Sequence, residues 1–279
     1  MFRDSLVVSR QKTSKEEEMK QLQLQSNAKV NLSLDILGRE EKEGPFQGYH
    51  FVQTVLHEIT PQNTHDFRPD MLTITAEKSK KPEITIVCDD PNLPTNEANT
   101  AYQAAEKILA KSRTTTKVTI TIKKNIPVAQ GLGGGSSNAA ETLKGLNRLL
   151  NLGLKTSELQ LLAAEVGMDV PFFINGGVAL AEHCGEQITR LPPVNGLAFT
   201  LFTTDDYQPE KTLKAYKDLD LSKCGKNTAQ TEALVHAIKT NDSLGIHKTL
   251  HNDFATTLKK PLSENHYLTG AGPAHFLLS

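Results

Sequence analysis

The stretch with the clearest chemical potential is a glycine-rich run between Pro127 and Ala140, which reads PVAQGLGGGSSNAA. Four of its residues lack a Cβ atom, which lets backbone N–H groups converge on an anion: Gly131, Gly133, Gly134 and Gly135. Two hydroxyl donors follow where a helix is predicted to begin, at the positive end of its dipole: Ser136 and Ser137. The run predicts a loop that binds a triphosphate.

Two other phosphate-binding loops do not fit this run. A Walker loop ends in Gly-Lys followed by Ser or Thr, whereas Gly135 is followed by Ser-Ser-Asn. A dinucleotide motif requires glycine three residues beyond Gly133, where Ser136 stands. A flexible linker is the competing interpretation. It is disfavoured because the run leads directly into an apolar-periodic helix predicted over residues 138–150.

The overall composition restricts the classes of partner. The chain of 279 residues has 31 basic and 32 acidic side chains, which gives no electrostatic reason to expect nucleic acid or a membrane as its partner. No apolar run approaches the length of a membrane span. The first twenty residues combine a short apolar patch with a charge run, which predicts a disordered or alternative-start extension rather than a secretory signal. These features predict a cytoplasmic protein.

The cysteines and histidines give no sign of a metal site or a disulfide framework. Cys88, Cys184 and Cys224 lie far apart, no Cys-x-x-Cys occurs, and the nine histidines show no metal-binding spacing. Reduced, buried thiols are therefore predicted.

Hydrophobic periodicity predicts the elements that must position the glycine run. Alternation with period two predicts strands that include Leu22–Leu24 and Val30–Ile36, and then 51–59, 71–76, 84–87, 117–122, 178–181, 197–203 and 274–278. Helical spacing predicts helices over 97–110, 138–150, 158–166, 212–219 and 231–238. The apolar run Val170–Ile174 is interpreted as a strand. Because strands and helices do not alternate regularly, the pattern predicts an α+β fold with a domain boundary between Gly176 and Leu197.

Several motifs in this order resemble those of the GHMP kinases. The glycine run resembles their second motif, and its GLGGGSSNAA form is similar to that of the diphosphocytidyl-methylerythritol kinases within the group. Four more motifs agree with those of that subgroup: Asn27–Leu32, Gly48–His50, a two-part motif formed by Cys88–Pro91 with Pro94–Asn99, and Gly167–Phe173. The resemblance covers the chain from about Leu22 to its last residue.

The resemblance implies a two-domain architecture and an activity. It implies an ATP-binding domain over 21–190, a shortened, smaller α+β domain over 191–279, and a site in the cleft between them. The implied reaction is ATP-dependent phosphorylation of the 2-hydroxyl of 4-diphosphocytidyl-methylerythritol, a step of isoprenoid synthesis by the non-mevalonate pathway. The implied cofactors are ATP and Mg²⁺, with Ser137 a possible protein ligand of the metal. A monomer or homodimer without nucleic-acid or membrane partners is expected.

The resemblance also implies the catalytic pair. Asp169 matches the family's general base, and Lys29 matches the lysine beside it, whose ammonium keeps the carboxylate ionised and stabilises the forming oxyanion. Taken alone, Asp169 would be an ordinary turn residue and Lys29 a solvated strand residue.

The substrate side is implied residue by residue. Asn31 and His50 match substrate-contacting positions, His50 at the cytosine, and Tyr49 and Tyr216 offer aromatic faces to the base. Thr212 belongs to the same motif as Tyr216. The alternative interpretation of Tyr216 is that it packs in the core, and that of Tyr49 is that it is a turn residue. Asn96 and Asn99 lie on the adenine side or are simply helix N-caps.

The sequence departs from the family's pattern in three places. The third motif reads Thr269-Gly270-Ala271-Gly272-Pro273, so Gly270 and Gly272 still permit close backbone approach although Ala271 lacks the usual hydroxyl. The stretch 254–268 is shorter than in relatives by about a helix's length. An insertion, Glu40–Phe46, lengthens the loop before Gly48.

Two alternatives stay open. One is another GHMP kinase acting on homoserine, a sugar or mevalonate, against which stand the form of the glycine run, Gly48–His50 and Tyr216. The other is a nucleotide-binding relative without turnover, which the presence of both Lys29 and Asp169 disfavours.

Overall fold

The computed structural model describes residues 19–204 and 211–279. Residues 1–18, which form most of the predicted N-terminal extension, lie outside the described residues. Mixed helices and three sheets confirm the predicted α+β class. No helix in the described ranges is both long enough and apolar enough to cross a bilayer.

Twelve strands lie in the described residues: β1 (Lys20–Ser26), β2 (Ala28–Arg39), β3 (His50–Ile59), β4 (Asp70–Lys78), β5 (Glu83–Cys88), β6 (Thr116–Lys123), β7 (Val178–Glu182), β8 (Gln187–Arg190), β9 (Phe199–Phe202), β10 (His251–Asn252), β11 (His266–Leu268) and β12 (His275–Leu278). The same ranges contain seven α-helices: α1 (Thr100–Ser112), α2 (Gly134–Leu149), α3 (Thr156–Ala164), α4 (Val170–Asn175), α5 (Lys211–Lys217), α6 (Thr228–Thr240) and α7 (Ser243–Thr249).

Contacts divide the chain into two compact units, each assembled from separate stretches. The first unit contains the described residues up to Asn27, then 69–126 and 134–174. The second contains 28–68, 127–133 and 175–279. The glycine-rich run therefore changes unit between Gly133 and Gly134. The domain ranges 21–190 and 191–279, and a site in a cleft between them, stay predictions.

The first unit is built on a four-stranded sheet in the order β1-β4-β6-β5, in which only β5 and β6 pair in parallel. Alternating residues of β4 and β6 are buried, as period-two patterning requires. Helix α2 packs closely on this sheet at Gly145, where an added Cβ would lie 2.6 Å from Ile74 Cδ1 and 2.7 Å from Leu24 Cδ1. A side chain at position 145 would force the buried ends of Ile74 and Leu24 to shift.

The second unit contains two sheets. A five-stranded sheet runs β10-β2-β3-β7-β8, with β10 parallel to β2 and the other pairs antiparallel. A smaller antiparallel sheet runs β11-β12-β9. The first nine residues of β2 are all buried, so its central part has no solvent face. Polar side chains on this strand are consequently held away from water.

Most elements predicted from periodicity are present, but one prediction is wrong. Val170–Ile174 forms helix α4, not a strand. All five residues of the run are buried, and a short buried run gives no periodicity that separates helix from strand. Pro171 in its first turn favours the helix, since its fixed φ suits that position. Helix α2 also begins at Gly134, four residues earlier than predicted.

Candidate active site

Lys29 lies on β2 with only 3% of its surface exposed. Its Nζ donates a hydrogen bond of 2.6 Å to Asn31 Oδ1, and its backbone N donates to the Leu132 carbonyl at 2.9 Å. The strand thus fixes the ammonium through Asn31 and also contacts the glycine-rich run directly. Both Lys29 and Asn31 were predicted site residues.

Asn31 connects β2 to the third motif. Its Oδ1 also accepts from Gly270 N at 2.8 Å and from Thr269 Oγ1 at 3.3 Å. Its Nδ2 donates to Thr54 Oγ1 at 2.9 Å. A buried amide that uses both its donor and its acceptor in this way holds its neighbours firmly, because any loss leaves a buried polar atom unsatisfied.

Gly131 approaches the third motif too closely for any side chain. It has φ of +79°, and a Cβ placed there would lie 2.3 Å from the Thr269 carbonyl oxygen. Thr269 Oγ1 donates to the Gly131 carbonyl at 3.3 Å, and Ala274 N donates to the Gln130 carbonyl at 3.2 Å. Residues 130–133 and 269–274 therefore lie side by side.

The third motif keeps the close approach expected of its glycines. Gly270 and Gly272 have φ of +53° and +69°, and a Cβ at Gly270 would lie 3.4 Å from Lys29 Nζ. The second unit thus brings together Lys29, Asn31, Gly131 and Gly270. Thr269, which bonds to two of these residues, was not predicted as part of the site.

Helix α2 carries the second half of the glycine run, in the first unit. Gly134 and Gly135 form its first turn, with Ser136 half-buried behind them. Ser137 is 1% exposed, and its hydroxyl accepts from Ser26 Oγ at 2.7 Å. Of the two serines, Ser136 is the more accessible residue.

A buried ionic network lies beside this first turn. Asp70 accepts from Lys124 Nζ, from Asn138 Nδ2 at 3.0 Å, and from the backbone N of Asn125 and Ile126 at 2.7 and 2.8 Å. Asp70 is fully buried, and a Cβ at Gly134 would lie 3.2 Å from Lys124 Nζ. This network was not predicted.

Asn99 and Asn96 make local turn contacts. Asn99 is the N-cap of α1, where its side chain accepts from Ala101 N at 2.9 Å, which confirms the capping alternative for this residue. Asn96 is exposed and accepts from Ala98 N at 3.1 Å. Thr100 Oγ1 donates to the Gly135 carbonyl at 2.8 Å, so the start of α1 supports the first turn of α2.

Asp169 is half-buried and directly precedes α4 in the first unit. Val170 N donates to the Gly167 carbonyl at 3.1 Å, which closes the turn on which Asp169 stands. A carboxylate at this place lies at the positive end of a short helix rather than at the start of a strand.

The predicted base-binding residues lie in the second unit. His50 and Tyr216 stack with ring centroids 4.5 Å apart, and Tyr216 also meets Phe254 edge-on at 4.9 Å. Tyr216 packs against a buried cluster that includes Leu34 and Ile36. Burial, together with the charge of Arg39, lowers the pKa of His50 below its ordinary value, so its ring is neutral at pH 7 and offers one donor and one acceptor.

Tyr49 and Thr212 are exposed, Tyr49 by 45% of its surface. Tyr49 meets Phe46 edge-on with centroids 6.4 Å apart. Thr212 lies in the first turn of α5, the helix that carries Tyr216. The stacked contact of Tyr216 is with His50, not with Tyr49.

Comparison with known proteins places the chain in a class and then in a family. Residues 99–177 match the GHMP kinase N-terminal domain. The 4-diphosphocytidyl-2-C-methyl-D-erythritol kinase of Alkaliphilus metalliredigens is 40% identical over 84% of this chain and 75% of its own length. That of Caldicellulosiruptor saccharolyticus is 34% identical over 91% and 86%.

Solved structures agree. A 4-(cytidine 5′-diphospho)-2C-methyl-D-erythritol kinase superposes with a TM-score of 0.65 at 26% identity, covering 92% of this chain and 90% of its own. Homoserine kinase from Cytophaga hutchinsonii superposes with a TM-score of 0.67 at 18% identity, covering 96% and 87%, which shows a shared fold. The chain belongs to the 4-diphosphocytidyl-2-C-methyl-D-erythritol kinase family.

Proposed function

We propose that this chain transfers a phosphoryl group from ATP to the 2-hydroxyl of 4-diphosphocytidyl-2-C-methyl-D-erythritol. Membership of the family supports the reaction. The structural observation that carries it is the convergence of β2, residues 130–133 and the third motif around the buried Lys29 in the second unit. Three segments that are distant in sequence meet at the Lys29 ammonium group. A fixed positive charge of this kind suits phosphoryl transfer, because it can offset the negative charge of the phosphates.

The triphosphate is proposed to bind at Gly131–Ser137. The residues fit this group, because Gly131 and Gly133 turn the backbone at positive φ and residues 134–137 form the first turn of a sixteen-residue helix. N–H groups of such a turn have no intrahelical partner and point towards an anion. The backbone of Gly270 and Gly272 is proposed to form the rest of the triphosphate site.

Mg²⁺ is proposed to be bound mainly through the phosphates. Ser137 is the proposed protein ligand, although its hydroxyl would have to exchange its contact with Ser26 to reach the ion. A single hydroxyl is a weak site by itself, and Mg²⁺ in kinases typically combines few protein oxygens with phosphates and water. When bound, the ion would neutralise phosphate charge.

Asp169 is proposed to accept the proton of the reacting hydroxyl, and Lys29 to stabilise the negative charge that forms there. A tertiary alcohol is a weak acid, so a positioned base contributes on the order of a hundred- to ten-thousand-fold to the rate. The hydrogen bond from Lys29 to Asn31 fixes the ammonium before the substrate arrives, and this preorganisation is what makes such a charge effective.

The cytidine head is proposed to bind at His50, Tyr216 and Tyr49, with Asn31 and Thr212 as further substrate contacts. The neutral ring of His50 presents a donor and an acceptor, which matches the hydrogen-bonding edge of cytosine. The exposed face of Tyr49 offers a stacking surface. Asn96 and Asn99 remain proposed for the adenine side, with Asn99 acting through its position as the α1 cap.

The proposal is tested by ADP production with a panel of alcohols under identical conditions. We expect turnover with 4-diphosphocytidyl-2-C-methyl-D-erythritol and none above background with homoserine, mevalonate or a sugar. Faster turnover with any of the other three alcohols would replace the proposed substrate. ATP binding without turnover on any alcohol would identify a binding protein.

Two variants test the roles within the site. Asp169→Asn and Lys29→Ala are each expected to lower turnover by at least about a hundredfold while ATP affinity changes little. Asp220→Asn is the matched control, since Asp220 is an exposed aspartate that caps a short 3-10 turn and asparagine caps equally well. Near-normal turnover of Asp169→Asn would show that the base lies elsewhere.

A further inference from the structure

The turn between β7 and β8 combines three metal-binding side chains. It reads His183-Cys184-Gly185-Glu186, and one ligand atom from each of His183, Cys184 and Glu186 lies within 4.8 Å of the other two. The sequence shows no standard metal spacing here, because the cluster forms only when the turn folds back on itself. None of these residues takes part in the proposed phosphoryl transfer.

The turn is held in shape by its own hydrogen bonds. Glu186 Oε1 lies 2.7 Å from His183 Nδ1, and Glu186 Oε2 accepts from Cys184 N at 3.0 Å. Gly185 N donates to the Glu182 carbonyl at 3.0 Å, and His183 adopts the left-handed φ of +62°. Cys184 is only 6% exposed, and the Glu186 side chain only 10%. The three donor groups are therefore already gathered.

The donor types select the class of cation. Sulfur, imidazole nitrogen and a carboxylate oxygen form a set typical of zinc, whereas Mg²⁺ and Ca²⁺ prefer oxygen alone. Bonds of about 2.0–2.3 Å in a tetrahedron place ligand atoms about 3.3–3.6 Å apart. Ligand atoms that already lie within 4.8 Å of one another reach this spacing by side-chain adjustment, in which the 2.7 Å contact of His183 Nδ1 with Glu186 Oε1 is exchanged for bonds to the ion. Glu40 and Glu186 both act electrostatically on the Cys184 sulfur, so the surroundings are negative.

We propose that His183, Cys184 and Glu186 bind one zinc ion, with water in the fourth position. The cysteine binds as the thiolate, and its proton leaves to solvent as the metal binds. No electron transfer is involved.

The site has a structural consequence for the loop that precedes Gly48. The His183 ring meets Phe46 edge-on at 4.9 Å and lies 5.3 Å from the Phe51 ring, and its carbonyl accepts from Val52 N at 2.7 Å. Phe46 ends the insertion Glu40–Phe46 and contacts Tyr49. Zinc that fixes His183 therefore also fixes this insertion, whatever reaction the chain catalyses.

The first test uses the unaltered full chain after removal of metal by a chelator. Calorimetric titration with Zn²⁺ is expected to show one equivalent per chain with a Kd below about 1 μM, and the thermal midpoint to rise by a few degrees at a hundredfold excess over Kd. Zn²⁺ is also expected to slow alkylation of Cys184 at least tenfold, measured by mass spectrometry. Cys88 and Cys224 serve as internal controls whose labelling stays unchanged.

Variants separate this site from adventitious binding. Cys184→Ser and His183→Gln are each expected to weaken Zn²⁺ binding at least tenfold, whereas Cys224→Ser, the matched change at another buried free cysteine, leaves it unaltered. Equal Zn²⁺ binding by the unaltered chain and Cys184→Ser overturns the proposal. So does the absence of both stoichiometric binding and Cys184 protection in the unaltered chain, an outcome that does not depend on whether a variant folds.

Discussion

Residues 130–133 and 134–137 are consecutive in the glycine-rich run, yet they have different surroundings. The first four pack against residues 269–274 through close backbone approach and neutral hydrogen bonds, with Gly131 at positive φ. The last four are helical and lie in the same unit as the buried pair Asp70 and Lys124. A side chain at Gly131 would thus meet a backbone carbonyl, whereas one at Gly134 would meet the side chains of Ile126 and Lys124.

The difference shows that an added side chain would meet different obstacles at different glycines of the run. At Gly131 a side chain would overlap the Thr269 backbone carbonyl, which can move only if its segment moves with it. At Gly135 the nearest atom to an added Cβ is Thr100 Oγ1, at 3.4 Å, an ordinary contact distance. Substitutions on the two sides of the junction are therefore expected to have unequal effects.

The largest effect on stability is expected from Asp70→Asn. The change leaves the buried Lys124 ammonium without its anion and removes one oxygen from a group that accepts four hydrogen bonds, so the free energy of unfolding should fall by about 3–5 kcal/mol. Urea denaturation followed by circular dichroism measures it. Glu165→Gln, which breaks the exposed pair with Lys107, is the control and should cost less than about 1 kcal/mol. Equal losses in the free energy of unfolding of the two variants would show that the buried network contributes no more than an exposed ion pair.

The next largest effect is expected from acid, which should lower the free energy of unfolding through a buried histidine in the second unit. Burial lowers the pKa of His57 to about 4, only partly offset by its hydrogen bond to the Glu58 carbonyl. Between pH 6.5 and 4 the unfolded chain binds a proton that the folded chain does not, so stability falls with pH by up to about 3 kcal/mol. Denaturation at a series of pH values measures this loss.

The control for acid sensitivity is a neutral side chain at the same position. His57→Gln should reduce the loss between pH 6.5 and 4, whereas His236→Gln, at an exposed histidine, should leave it unchanged. An identical pH dependence in His57→Gln and the unaltered chain would assign the loss to other groups.

Gly131→Ala is expected to cost about 2 kcal/mol. An L-residue in the left-handed region costs about 1–2 kcal/mol, and the clash with the Thr269 carbonyl adds to that. Amide exchange at Ala274, whose N–H donates to the Gln130 carbonyl, should accelerate as the two segments separate. Unchanged exchange there would mean that the segments stay together by other contacts.

The smallest effect is expected from Gly135→Ala. The position is helical and exposed, and alanine there stabilises a helix by up to about 1 kcal/mol relative to glycine. The same urea titration should show no loss of stability. A loss similar to that of Gly131→Ala would remove the contrast between the two halves of the run.

Periodicity predicted the strands and helices of the first unit because each has one buried and one exposed face. It failed at Val170–Ile174, where every side chain is buried and no alternation distinguishes helix from strand. It also missed β10 and β11, whose two and three residues are too few to show alternation.

The site could be predicted only where local motifs carry it. Lys29, Asn31, Gly131 and Gly270 were found through resemblance, and the structure brings them together. Asp70 was missed because its side-chain partners lie up to 68 residues away and nothing local marks it. Thr269 stands in the third motif, but its hydrogen bond to Asn31, 238 residues away, arises only in the fold. His183, Cys184 and Glu186 were missed for the opposite reason: they are neighbours, but in a spacing that no regular motif uses.

The stacking of His50 on Tyr216 lowers the affinity for any planar ligand that would stack on the same face of Tyr216. With centroids 4.5 Å apart there is no room for a third ring between them, so a base that takes this face of Tyr216 must first displace His50. Such a pair is worth about 0.5–1.5 kcal/mol, which lowers the apparent affinity of the ligand by about two- to twelvefold. A residue at position 50 that does not stack would therefore expose that face of Tyr216 in advance and let a planar molecule bind there about two- to twelvefold more tightly.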